Sequence, residues 1–217
     1  MTVVADRCRF ILEHTELLPV PLVPEVSLYL AHEAVPLWQK TEEELGLMGL
    51  PPPFWAFAWA GGQALARYVL DNSRTVHGKR VLDLASGSGL VAVAAMMAGA
   101  SQVLAADIDA FAIQAIGMNV AANNVQVSVA NEDLLDAAPP AMDVILVGDL
   151  FYEKTLAEKL LGWLEQAQKN GSVVLIGDPG RSYLPRDKLA SCAAYEVPVS
   201  RDLEDAEIKH TQVWRLA

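Results

Sequence analysis

A strand that ends in a carboxylate and runs straight into a Gly-x-Gly turn constrains this chain more than any other stretch. Arg80-Val81-Leu82-Asp83-Leu84 reads as a buried strand, Ala85-Ser86-Gly87-Ser88-Gly89 as a turn, and Leu90 onward as an apolar helix. Glycines let a ligand approach the backbone, and a helix N-terminus offers unpaired N–H groups. A second carboxylate, Asp107, ends the next predicted strand, Val103-Leu104-Ala105-Ala106. It follows Asp83 by 24 positions, close to the spacing of about 20 for an acid that grips ribose hydroxyls. The pattern implies a Rossmann-like fold with a nucleotide-like cofactor, either S-adenosylmethionine or a dinucleotide.

The rest of the chain fits that fold. Strands are predicted at 80–84, 102–106, 125–130, 143–148 and 172–177, and helices at 63–71, 89–98, 110–123 and 153–169. Such alternation implies a mostly parallel sheet covered on both faces. The chain closes differently. Tyr195–Val199 and Thr211–Leu216 read as two strands around an acidic turn, an antiparallel edge pair with Pro198 on the exposed strand. Residues 1–50 read as an N-terminal helical extension that caps the main domain, residues 51–217. Within it, Asp6–His14 predicts a short helix, Pro19, Pro21, Pro24 and Pro36 interrupt the chain, and Val35–Leu45 predicts a second helix with Glu42, Glu43 and Glu44 outward.

Composition narrows the function classes. A hydrophobic share of 53% over 217 residues suits one domain with a full core. The net charge of −11 disfavours a nucleic-acid partner and favours a basic protein surface. Cys8 and Cys192 form no ligand pattern, nor do His14, His32, His77 and His210, so no metal site is expected. The longest apolar run, Leu90–Ala100, is too short to span a bilayer. No basic segment leads into an apolar one at the N-terminus, so no secretory signal is expected. The expected location is cytoplasmic, with the mitochondrial matrix as the alternative for a eukaryotic source.

Gly87-Ser88-Gly89-Leu90-Val91-Ala92 also satisfies the dinucleotide fingerprint G-x-G-x-x-A. Asp83 argues for S-adenosylmethionine instead. A carboxylate there attracts the ammonium of a methionyl group and faces a diphosphate poorly. Asp109 is the better N-cap for the helix from Ala110, which leaves Asp107 for ribose. Asn131-Glu132-Asp133 ends the third strand, where an adenine amino group could bind beside Leu134. The same residues also read as a solvated acidic loop.

Val144-Ile145-Leu146-Val147-Gly148 is a buried strand, and Asp149-Leu150-Phe151-Tyr152 leaves its carboxyl end, where ligands of open α/β sheets sit. An acid followed three residues later by an aromatic suits amine methylation: the carboxylate orients the nitrogen and the ring packs beside it. Asp149 also reads as a cap for the helix that starts near Glu153.

These segments resemble the seven-stranded, class I lysine methyltransferases with a D-x-x-Y or D-x-x-F motif. More narrowly, the chain is similar to the electron transfer flavoprotein beta-subunit lysine methyltransferases. The matching pieces are Phe54-Trp55-Ala56, Trp59-Ala60-Gly61-Gly62-Gln63-Ala64-Leu65, Val81–Leu84, Asp107-Ile108-Asp109, Gly148–Tyr152 and Ile176-Gly177-Asp178-Pro179-Gly180-Arg181. Ala85 stands where that family usually has glycine, and Ala60 where it has proline. The resemblance implies methyl transfer from S-adenosylmethionine to lysines of the flavoprotein's beta subunit, leaving S-adenosylhomocysteine. Trp59 would line the cofactor pocket with Asp83, Gly87, Gly89, Asp107, Ile108, Asn131 and Asp133. Asp149 would engage the lysine, Tyr152 would shape its channel, and Arg181 would belong to a substrate loop. Two other readings remain open: methylation of another protein, a small molecule or a nucleic-acid amine, and a cofactor-binding regulator without turnover.

Overall fold

The structure, a computed structural model, describes residues 7–31, 53–199 and 206–217. A seven-stranded sheet forms its centre. In chain order the elements are α1 (Arg7–His14), β1 (Glu16–Val20), β2 (Val23–Leu30), α2 (Ala60–Asp71), β3 (Arg80–Leu84), α3 (Leu90–Met97), β4 (Gln102–Ala106), α4 (Ala110–Ala122), β5 (Ser128–Ala130), β6 (Val144–Gly148), α5 (Lys154–Lys169), β7 (Val173–Asp178), β8 (Leu189–Pro198) and β9 (Ile208–Leu216). The sheet order is β5-β4-β3-β6-β7-β9-β8. The first five of these strands are parallel, and β9 runs antiparallel to both β7 and β8. The expected edge pair is therefore present, and Pro198 ends the outermost strand, where its missing N–H costs no ladder bond.

The central strands carry continuous apolar runs because both faces are covered, and Asp83 of β3 and Asp178 of β7 are buried acids near their carboxyl ends. Val81, Val144, Leu146 and Leu175 face a layer containing α2 and α3. Leu82, Ile145, Val147 and Ile176 face α5 through Leu160, Trp163 and Leu164. Glu153 caps α5, its carboxylate accepting from the Thr155 and Leu156 amides. Asp109 caps α4 through the Phe111 amide at 2.8 Å, as the sequence predicts. The strand expected at 125–130 is shorter, reduced to Ser128–Ala130.

The N-terminal extension departs from its expected helical character. Beyond α1 it forms an antiparallel hairpin in which Glu16 faces Leu30 and Leu18 faces Leu28. The prolines do not break it. Pro19 sits at the register shift, Pro21 in the turn, and Pro24 on an exposed edge. Val23, Val26, Leu28 and Leu30 are buried and hold the hairpin to the main domain. The Ser27 and Tyr29 amides donate to the side chains of Asn123 and Asn119. The helix expected at Val35–Leu45 lies outside the described residues. Among those described, no helix is long and apolar enough to cross a membrane.

Candidate active site

The carboxyl ends of β3, β4 and β6, with Arg181 from the loop after β7, open onto one cleft of about 640 Å³, a volume that suits a small-molecule ligand. One end is built on the glycine turn. Gly87 and Gly89 both take left-handed backbone angles, φ +55° and +83°, which side-chain-bearing residues adopt at a cost. Ala85 pays that cost at φ +53°. The turn is fastened from three sides. Asp83, 2% exposed, accepts from Ser86 Oγ at 2.5 Å and the Ala92 amide at 3.0 Å. Burial pushes its carboxyl up to about 7. Asp107 accepts from the Gly87 amide at 2.8 Å and the Asp109 amide at 2.9 Å, and burial raises its pKa as well. Asn119, fully buried, donates to the Ser88 carbonyl at 2.7 Å.

The neighbouring loops complete this end. Ile108 is 72% exposed and lies along the cleft. Asp133, Leu134 and Leu135 also line it. Asp133 has two other partners, the Leu135 amide and the Lys159 ammonium. Asn131 turns its amide to the loop backbone, donating to the Asp107 and Ile108 carbonyls at 3.0 Å each. It braces the loop after β4 and does not itself line the cleft.

The other end joins two motifs far apart in sequence. Gly148 of β6 pairs with Gly177 of β7, so Asp149 and Asp178 leave the sheet side by side. Asp149 has φ +57°, a strained setting of the kind that clusters at functional sites. Its Oδ2 accepts from the Gly62 amide at 2.8 Å. That amide belongs to the first turn of α2, where N–H groups lack intrahelical partners. Asp149 therefore caps α2 across the sheet, and the alternative cap on α5 is supplied by Glu153 instead. The crossing is close. A Cβ on Gly61 would collide with the Gly177 carbonyl oxygen and come within 2.6 Å of Asp149 Oδ2. This contact explains Gly61 in one motif and Gly177 in the other.

Asp149 Oδ1 accepts from Arg181 Nε at 3.2 Å and Nη2 at 2.7 Å. Sequence reasoning placed Arg181 on a substrate loop and missed this pair. The signal lay in strand order: β6 and β7 are parallel neighbours, so their following loops must meet. Burial pushes the Asp149 carboxyl up to about 6, with Arg181 opposing the rise. Asp178 Oδ1 holds the loop by accepting from the Gly180 and Arg181 amides at 2.6 and 2.7 Å.

Aromatic rings wall the cleft between the two ends. Trp59 Nε1 donates to the Phe54 carbonyl at 2.9 Å, and the Phe54 ring lies 5.9 Å from Trp59 and 6.0 Å from Tyr152. Phe54 is a wall residue that the sequence reading named only within a motif. Trp55 is instead buried and stacked on Phe111 at 5.9 Å.

Charge indicates what the cleft accepts. Asp83, Asp107, Asp109, Glu132, Asp133 and Asp149 line it, and Arg181 is the only basic residue on the described wall. A diphosphate would meet acids almost everywhere. A sulfonium with a methionyl ammonium meets complementary charge, and Asp107, which lines the cleft, keeps acceptor capacity for ribose hydroxyls.

Comparison with known proteins agrees. Residues 63–175 match the ribosomal protein L11 methyltransferase family (PrmA). The chain is 39% identical to the electron transfer flavoprotein beta subunit lysine methyltransferase of Xenopus laevis, over 94% of this chain and 85% of that protein. It is 37% identical to the Homo sapiens protein of the same name, over 94% and 80%. In fold it is similar to the ribosomal protein L11 methylase of Lactobacillus delbrueckii subsp. bulgaricus, with a TM-score of 0.51 and 22% identity over 74% of this chain and 81% of that one. The fold is that of the class I methyltransferases, which use S-adenosylmethionine. The chain belongs to the family of electron transfer flavoprotein beta subunit lysine methyltransferases.

Proposed function

We propose that this enzyme methylates lysine side chains of the electron transfer flavoprotein beta subunit, with Asp149 and Tyr152 as its transfer residues. The observation that carries the reading is Asp149 itself: a buried carboxylate, held in a left-handed turn, on the wall of the cleft that the glycine turn also lines. The names of the relatives support the substrate. In this reading Gly87, Gly89, Asp83, Asp107, Ile108, Asp133 and Trp59 form the cofactor end, with Asn131 bracing the loop.

Bound S-adenosylmethionine supplies an electrophilic methyl on a sulfonium. The residues of the chain do the rest. A lysine titrates near 10.4 in water and must lose its proton before it can attack. Asp149 accepts an N–H of the amine and aims the lone pair. As the C–N bond forms, nitrogen becomes positive, and the fixed carboxylate stabilises that charge. Tyr152 and Phe54 flank the approach with apolar ring surface and limit water.

The test is label transfer from the methyl-labelled cofactor to purified beta subunit, followed by mass mapping of the modified residues. Label on lysine supports the reading. The match to the L11 methyltransferase family makes ribosomal protein L11 the second substrate to assay. Label on that protein alone would replace the flavoprotein assignment.

A further inference from the structure

We propose that Arg181 is a positioning residue that balances the charge of Asp149, so that the target lysine is held in the transfer site as a free amine. The inference rests on the lysine-transfer reading above and concerns how that site manages its charge.

A lone carboxylate is a poor receiver for a nucleophilic lysine. It favours the ammonium, which has no lone pair. Here the carboxylate is not alone. Arg181 brings two N–H groups to Asp149 Oδ1, and Gly62 takes Oδ2. A carboxylate offers about four lone-pair positions, so one remains for an incoming amine N–H. The pair is shielded from water: the side chains are 19% and 10% exposed. The guanidinium lies 5.7 Å from the centroid of the Trp59 ring, and Asp178 fixes its loop through two amides. An arginine stays protonated across the working range. It therefore supplies a permanent positive charge beside the amine without exchanging a proton.

The other ionisable groups around the pair come from every adjoining loop. Tyr152 and Glu153 follow β6, Asp178 ends β7 and Arg186 follows it, and Asp107 faces from the end of β4. Burial raises the Tyr152 and Asp178 pKa values, which favours their neutral forms. Arg181 is thus the cation that directly offsets Asp149. In the transfer itself, the lysine proton leaves to solvent first. The nitrogen lone pair then forms the bond to the methyl carbon, and the C–S electron pair stays on sulfur.

The experiment is kcat against pH with saturating cofactor and purified beta subunit, for the wild type, Arg181→Gln and Arg181→Lys. Without the cation, the acid limb of Arg181→Gln should move alkaline by about one to two pH units. Its turnover should be down about tenfold or more at neutral pH and should recover toward wild type at high pH. Arg181→Lys should restore most of the limb position, though not the full rate. A uniform loss with an unmoved limb would mean a merely structural Arg181. Faster turnover at neutral pH would mean a plug that substrate displaces. Either result overturns the proposal. If Arg181→Gln folds poorly, a Lys variant whose limb shifts by one to two units also overturns it. Carbon-13 titration of the Asp149 carboxyl in the cofactor-free protein gives an activity-independent check: its midpoint should rise in Arg181→Gln and hold in Arg181→Lys. A wild type that labels no lysine overturns the functional reading itself, and this inference with it.

Discussion

Asp149 and Gly62 meet across the sheet, the carboxylate Oδ2 accepting the Gly62 amide hydrogen at 2.8 Å. One side chain thus caps a helix and lines the cleft. Asparagine at 149 keeps an oxygen for Gly62 but removes the charge. Asp149→Asn should lower kcat by roughly 10²–10³, the scale of one lost preorganised contact. Its affinity for S-adenosylhomocysteine should stay within about threefold, because Asp107 and the glycine turn are untouched. Asp149→Ala should lose about 1 kcal/mol more stability through the missing cap. Wild-type turnover in folded Asp149→Asn would end the transfer assignment.

Asp83 sets a pH dependence of stability. An unfolded aspartate titrates near 3.9, whereas burial pushes the folded Asp83 up to about 7. Between those values the unfolded chain releases this proton and the folded chain keeps it. The contribution of Asp83 is therefore greatest below about pH 4 and is lost as pH rises through about 7. Asp83→Asn removes that loss, which is on the order of a few kcal/mol. Urea unfolding at about pH 5 and about pH 8.5 should show the variant gaining on wild type at the higher pH. An unchanged difference between the two would contradict the buried, proton-retaining Asp83.

Gly61 and Gly62 are adjacent yet should respond in opposite ways to alanine. A Cβ at 61 runs into the Gly177 carbonyl and Asp149 Oδ2, whereas at 62 the nearest atom, Leu90 Cδ2, is 3.9 Å away. Gly61→Ala forces backbone apart where β7 and α2 cross and should cost about 3 kcal/mol or more. Gly62→Ala should be neutral or stabilise by up to about 1 kcal/mol, because alanine loses less freedom than glycine in a helix. Chemical denaturation of both variants provides the comparison.

The parallel strands were legible because burial on both faces makes them continuous apolar runs, as in Val144–Val147. Asp109 was legible because a cap acts on its own neighbours. The hairpin was not. Its alternation at Val26, Leu28 and Leu30 is regular, but prolines at 19, 21 and 24 mask it, and only the pairing shows that each sits at a shift, a turn or an edge. The position of Asp149 at the carboxyl end of its strand was legible, while its partners Gly62 and Arg181 lie 87 and 32 positions away. Such contacts follow from strand order, which spacing along the chain does not specify.

The hairpin and the glycine turn share one side chain. Asn119 accepts the Tyr29 amide at 2.8 Å and donates to the Ser88 carbonyl at 2.7 Å. Tyr29 lies in β2, and Ser88 sits between the two glycines of the turn that lines the cleft. The N-terminal extension therefore braces the turn through a fully buried amide. Asn119→Ala leaves a half-buried donor and a buried acceptor unpaired, at a cost of about 2–4 kcal/mol. If the bracing matters for binding, the turn loosens as well, and the dissociation constant for S-adenosylhomocysteine should rise about tenfold, equivalent to about 1.4 kcal/mol. A hairpin that only adds packing predicts a different result: the same fall in melting temperature with unchanged affinity in the folded protein. Calorimetric titration of Asn119→Ala, run well below its melting point, separates the two. An affinity equal to wild type would detach the extension from the cofactor site and leave it a purely stabilising element.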